Sequence, residues 1–293
     1  MEVRVTDQSG MPPGGLRRPS SRATGLRKVN TEPAEKTLVA VISILSGIVR
    51  PFTHRDWRGQ ENLPATGGVL VVANHISNFD PIAVGQYLAF SGRWPRFLGK
   101  ASLFTVPVIG RIITACGQIP VQRGTKSAVH ALDAAVVAVE SGKAVVIYPE
   151  GTVTLHEQLW PMVAKSGAAR IALQTACPVI PLGQWGAQDV MWGKKIHFPK
   201  LLPRKTLRLT AGPPVPLDDL REGPITPQTV AIATERIMAA ITELVVELRQ
   251  EPAPPELFDP RRARRGDVPG EPESSSDSSA GADPDRRVDE ETT

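Results

Sequence analysis

Cysteine is scarce in this chain. There are two among 293 residues, Cys116 and Cys177, each in an apolar context. They offer no disulfide framework, and neither has His or acidic neighbours at metal-ligand spacing, so both read as buried free thiols and argue for a reducing compartment. Aromatic residues make up 5% of the chain, and no helical segment gathers Lys and Arg on one face, which argues against a nucleic-acid partner. The N-terminus has no basic segment followed by an apolar core, so no secretory signal is expected and a cytosolic topology is. There is no Gly-x-Ser-x-Gly elbow and no cysteine in a reactive setting, so any group transfer must proceed without a nucleophile of the protein's own. No internal repeat is present.

Long apolar runs are missing as well. The longest extends from Leu38 to Val49, between Lys36 and Arg50-Pro51. Twelve helical residues rise roughly 18 Å, short of a hydrocarbon core of about 30 Å, so a full membrane span is not expected. Two readings remain for this segment. One is a membrane-surface anchor, helped by Arg50, Arg55 and Arg58 beside Phe52 and Trp57; the other is a core helix.

What is present is enough apolar residue, 41%, to bury the core of one α/β domain. The expected organisation is a disordered basic segment over residues 1–36, a single domain over 37–250, and a disordered acidic tail over 251–293. The net charge of +4 hides an uneven distribution. Twelve of the thirty acidic residues lie in the tail, which leaves the domain basic and suited to an anionic partner. The tail itself reads as a solubilising linker.

Two short motifs stand out: Asn74-His75-Ile76-Ser77-Asn78-Phe79-Asp80 and Tyr148-Pro149-Glu150-Gly151-Thr152. Each comes after an apolar run of β type, so each should emerge at a strand end, where α/β proteins place their chemistry. Between and beyond them, helical patterns over 81–90, 107–116, 126–141, 168–175 and 226–249 alternate with extended segments over 96–100, 117–123, 178–182 and 206–211. That alternation indicates an α/β sandwich.

A His and an Asp with a tight polar turn between them can fold back on each other. The carboxylate then holds one imidazole nitrogen and leaves the other for a substrate hydroxyl. His75 and Asp80 are the candidate catalytic pair on this ground. Taken alone, the spacing is as compatible with a structural histidine. Glu150, Gly151 and Thr152 place a carboxylate, a flexible turn and a hydroxyl at the second strand end, fit to hold a polyol or to offer N–H donors to an oxyanion. Arg123 and Lys100 come from other strand ends and could converge on a phosphate. No metal or redox cofactor is called for by any ligand spacing.

With those residues in view, the chain resembles the glycerophospholipid acyltransferase family, specifically its 1-acyl-glycerol-3-phosphate (lysophosphatidic acid) acyltransferases. The resemblance covers roughly residues 38 to 215 and rests on four blocks in order: NHISNFDP at 74–81, GQIPVQR at 117–123, YPEGT at 148–152 and CPVIPL at 177–182. It implies a single αβα sandwich of the glycerol-phosphate acyltransferase type with an N-terminal interfacial helix. It implies His75 as general base, Asp80 as its partner, and Lys100, Arg123, Glu150, Gly151 and Thr152 as acceptor-binding residues. The family's third block usually starts with Phe and continues Thr-Arg-Ser; here Tyr148 starts it and Val153-Thr154 end it. The missing arginine leaves its place to Lys165 or Arg170, or points to another acceptor. An acyl groove is expected along Phe104, Val108 and Ile112.

The resemblance implies a membrane-associated enzyme on the cytoplasmic face of the cell membrane. It would take an acyl group from acyl-CoA or acyl carrier protein to a lysophospholipid in phospholipid biosynthesis, giving phosphatidic acid. The alternatives are glycerol 3-phosphate, another lysolipid or a glycolipid as acceptor, and a non-catalytic lipid-binding role that intact motif residues disfavour. Oligomeric state is not legible.

Overall fold

The computed structural model describes residues 26–30, 32–121, 127–193 and 197–265. The chain falls into two units, residues 1–258 and 259–293. The first contains seven strands: β1 Thr53–Arg58, β2 Val69–Ala73, β3 Pro95–Lys100, β4 Ile119–Val121, β5 Ala144–Ile147, β6 Val179–Trp185 and β7 Lys205–Ala211. Its helices are α1 Leu26–Val29, α2 Lys36–Val49, α3 Asp80–Phe90, α4 Ala101–Phe104, α5 Ile109–Ala115, α6 Ser127–Glu140, α7 Gly167–Gln174, α8 Asp218–Arg221 and α9 Pro227–Arg249. In the second unit the described part is the short helix α10, Pro260–Arg265.

The strands form one sheet in the order β1-β7-β6-β2-β5-β3-β4. The five from β6 to β4 run parallel, while β7 pairs antiparallel with β6 and parallel with β1. The two central strands are apolar on both faces, as parallel strands under two helical layers must be. In β2, Leu70 and Val72 face α6, α7 and α9, whereas Val69, Val71 and Ala73 face α3. The expected αβα sandwich is therefore the observed one.

Orientation decides what meets at the ends of the sheet. The strands β2, β5 and β3 are consecutive neighbours and finish at one end, which brings the residues after Ala73, Ile147 and Gly99 together. The antiparallel run of β7 places Lys205 and the segment before it at that same end, and β1, parallel to β7, begins there too. Both motifs lie at this end of the sheet, which makes it the candidate site.

The packed region starts earlier and ends later than the expected domain limits of 37 and 250. Leu26 is buried, Asn30 donates to the Ala89 carbonyl at 2.6 Å, and the Trp94 indole donates to the Glu32 carbonyl. Downstream, the Phe258 carbonyl accepts from Val163 at 3.0 Å. The residues after Phe90 need this cover: Arg93 is fully buried and pairs with Glu32 at 3.1 Å while donating to the Pro64 and Gly142 carbonyls. The apolar segment at 38–49 is α2, which buries Leu38, Ile42 and Val49 and exposes Ile44 and Ile48. It is thus partly a core helix and still presents an apolar strip. Among the described residues, no helix is long and apolar enough to cross a membrane.

The segment after α2, expected as a basic anchor flank, forms the edge strand β1 instead. There Arg55 lies 4.5 Å from the ring centroids of both Trp57 and Phe90 and donates to Gln86, so it is committed to packing.

Candidate active site

His75 comes two residues after the end of β2, and the intervening Asn74 locks the strand end. The Asn74 amide exchanges hydrogen bonds with the backbone of Gln184 at 2.9 and 3.1 Å, and the Gln184 side chain donates back to the Asn74 carbonyl at 2.7 Å. All of this is buried, so His75 leaves a rigid sheet. The chain then turns sharply, and Asp80, the first residue of α3, points back. Its Oδ2 accepts from His75 Nδ1 at 2.8 Å and from the Ile76 and Ser77 N–H groups at 2.7 and 2.9 Å. The expected pairing of the two is the observed one.

With Asp80 ionised, that contact sets Nδ1 as the protonated nitrogen and Nε2 as the lone-pair nitrogen. The Asp80 side chain has no exposure and the His75 side chain 15%. Burial pushes the Asp80 carboxyl above its ordinary range, and the imidazole and the two N–H donors pull it back. The result is an imidazole of fixed tautomer, an arrangement that can act as a base.

The second motif supports the first from behind. Tyr148 stacks on His75 with ring centroids 4.2 Å apart and planes 18° from parallel, and Phe97 continues the stack at 6.3 Å. Burial, and secondarily the Asp80 charge, raise the Tyr148 phenol well above its usual range, so it stays neutral.

Glu150 occupies a different setting from the expected one. It is buried, its Oε1 accepts from the His75 N–H at 2.9 Å and its Oε2 from the Met162 N–H at 3.1 Å. Burial raises its pKa to about 8 against the pull of those two donors. Glu150 is accordingly a bracket between the His75 backbone and the Trp160–Met162 strap, with both oxygens committed away from an acceptor. The Gly151 N–H is likewise committed, donating to the Tyr148 carbonyl at 2.9 Å, which removes it as an oxyanion donor. Gly151 has φ +72°, and a Cβ there would meet the Lys165 side chain at 3.1 Å. The left-handed turn and the close approach both call for glycine. Thr152 comes next, half-buried.

Lys165, expected as a substitute for the missing arginine, is the cation that the structure brings to this turn. Its N–H donates to the Pro149 carbonyl at 2.9 Å, and its alkyl chain lies over Gly151. Lys100 ends β3, two strands over from β2, so roughly 10 Å away across the sheet. Arg123 lies outside the described residues. Phe104 packs toward Gly99, but Val108 and Ile112 are 65% and 41% exposed, so the expected acyl groove is here an open apolar hairpin of α4 and α5. The Tyr148 stack and the Asn74–Gln184 lock are beyond what sequence reasoning finds. Tyr148 stands in a visible motif, but nothing in the sequence ties Gln184 to Asn74, 110 residues away.

These features define a His–Asp pair of fixed tautomer at the strand ends of an αβα sandwich. The sequence profile of the Acyltransferase family matches residues 54–185 of this chain. Among its curated relatives, it is 34% identical over 145 residues to the chloroplastic 1-acyl-sn-glycerol-3-phosphate acyltransferase of Brassica napus, covering 49% of this chain and 40% of that one. It is 30% identical over 125 residues to the 1-acyl-sn-glycerol-3-phosphate acyltransferase of Borreliella burgdorferi, covering 42% and 48%. The chain thus spans less than half the length of these relatives. Among solved structures, the 1-acyl-sn-glycerophosphate (LPA) acyltransferase PlsC of Thermotoga maritima matches with a TM-score of 0.53 and 21% identity over 78% of this chain and 81% of that one, a likeness of fold.

Proposed function

We propose that this protein transfers a fatty acyl group from an acyl thioester, carried by CoA or acyl carrier protein, to the free hydroxyl of 1-acyl-glycerol-3-phosphate, forming phosphatidic acid. The observation that carries the reading is the 2.8 Å contact of His75 Nδ1 with a fully buried Asp80, which leaves Nε2 as a base. The names of the relatives supply the acceptor.

In the reaction, His75 Nε2 takes the hydroxyl proton as the oxygen attacks the thioester carbonyl. The tetrahedral intermediate collapses by breaking the C–S bond, and the imidazolium returns its proton to the departing thiolate. Asp80 keeps the tautomer and offsets the imidazolium charge. Lys165 and Lys100 are proposed to hold the acceptor phosphate, together with Arg123. The exposed Ile44 and Ile48 of α2 and the α4–α5 hairpin are proposed to meet the acyl chains at the cytoplasmic face of the membrane, where the acceptor resides. A second acceptor, glycerol 3-phosphate or another lysolipid, stays open because Val153-Thr154 replace the family's basic residue, and Lys165 reaches the turn from a different position.

The test is thiol release from palmitoyl-CoA with lysophosphatidic acid, glycerol 3-phosphate or a neutral lysolipid, beside His75→Ala. Release that requires lysophosphatidic acid and His75 supports the reading. Release with another acceptor changes the substrate, and release unaffected by His75→Ala removes the mechanism.

A further inference from the structure

The lipid-facing reading of α2 and of the α4–α5 hairpin leaves one more exposed apolar segment unexplained at the end of the sheet that carries both motifs. The loop between β6 and β7 carries Trp192, Phe198 and Leu202, which are 58%, 94% and 72% exposed. Single exposed apolar residues are ordinary, but three large ones in one loop are a patch. The loop is also basic. Between Asp189 and Asp218 the sequence has no acidic residue and six Lys or Arg, of which Lys200 and Arg204 frame Leu202.

The backbone is well anchored to the turn after His75. Ser77 Oγ donates to the Met191 carbonyl at 2.6 Å, Ser77 bridges Gly193, and Lys200 N–H closes the loop on the Val190 carbonyl at 2.8 Å. Arg204 donates to the Thr53 carbonyl at 3.1 Å, so its far side is tied to the start of β1. The side chains project from this frame, at the end of the sheet where His75 lies.

We propose that Trp192, Phe198 and Leu202, with Lys200 and Arg204, form a lipid-contacting surface that seats this end of the sheet on an anionic bilayer. An indole and apolar side chains set among cations match an interface with acyl chains below and negative headgroups above. Projecting side chains suit a fluid surface that yields around them, whereas a folded protein partner would need a complementary shape. The inference deepens the reading above by naming the partner of the same site, and its test does not depend on turnover.

Cys116 and Cys177 are both buried, so Phe198→Cys in the full chain can be labelled selectively with an environment-sensitive fluorophore such as nitrobenzoxadiazole. Vesicles of phosphatidylcholine mixed with phosphatidylglycerol should shift the emission to the blue and float the protein. Adding Trp192→Ser and Leu202→Ser should weaken partitioning about tenfold without lowering the melting temperature. Protein that floats while the label does not respond, or a label that responds to acyl carrier protein but not to vesicles, would overturn the proposal. So would absence of vesicle binding. Turnover of a water-soluble acceptor, read on the same samples, reports on the catalytic assignment separately.

Discussion

The ring of Tyr148 lies flat on the ring of His75, with centroids 4.2 Å apart and an interplanar angle of 18°. One face of the imidazole is therefore closed by a side chain from the neighbouring strand, and the Asp80 contact fixes rotation about the other axis. A base held in two directions loses little entropy on reaching its substrate.

Removal of the base should be decisive. In His75→Ala, acyl transfer is expected to fall by about 100-fold to 10,000-fold, the usual contribution of a general base, with a melting temperature close to wild type. Thiol-release kinetics and a thermal melt on the same preparation check this. A folded variant with near-normal turnover would remove His75 from the role.

Tyr148 separates stacking from hydrogen bonding. Its hydroxyl is buried and finds no hydrogen-bond partner among the described residues, and an unpaired buried hydroxyl costs about 1–3 kcal/mol. Tyr148→Phe should keep activity within about twofold and raise the melting temperature by about 2–4 °C. Tyr148→Ala should cut kcat about tenfold or more by freeing the imidazole. Equal kcat in Phe and Ala variants would show that the stack does not matter.

Glu150 predicts a pH dependence. Its folded pKa of about 8 lies above the ordinary 4.5, so between those values the folded state holds a proton that the unfolded state has released. Its contribution to stability is thus fully present below about pH 4.5 and is lost as pH rises toward 8. The melting temperature of wild type minus that of Glu150→Gln should therefore shrink from pH 5 to pH 8, in melts across that range. A difference that does not change across that range would mean that Glu150 is ionised throughout.

Lys165 is expected to act on the acceptor. Lys165→Ala should raise the acceptor KM about tenfold, with the thioester KM changed less than twofold, the pattern of lost phosphate binding. Gly151→Ala, which would push the Lys165 side chain by its new Cβ, should move the same constant in the same direction. Equal effects on both substrates would assign Lys165 to the fold.

How much of this is legible in the sequence depends on sequence distance. His75 and Asp80 are five residues apart, so one turn fixes their meeting and a spacing argument finds it. The strands β2, β5 and β6 announce themselves as apolar runs because both their faces are covered. β1 does not: Thr53-His54-Arg55-Asp56-Trp57-Arg58 is a polar edge strand, and its pairing partner, β7, begins about 150 residues later. The same applies to Glu150, which is legible as a motif carboxylate but whose partners, the N–H groups of His75 and Met162, turn it into a bracket.

By itself, then, the sequence determined the alternation of elements, the local His–Asp geometry and the likeness to acyltransferases over the motif-bearing segment, because each is written in short-range pattern. Tertiary structure decided that Asp80 meets the His75 ring while Glu150 braces backbone, that Lys165 shares a turn with Gly151, and that β7 runs backwards so as to bring a basic, aromatic loop against the turn after His75. Those outcomes depend on strand order and direction, and these are set by burial of both sheet faces over the whole chain.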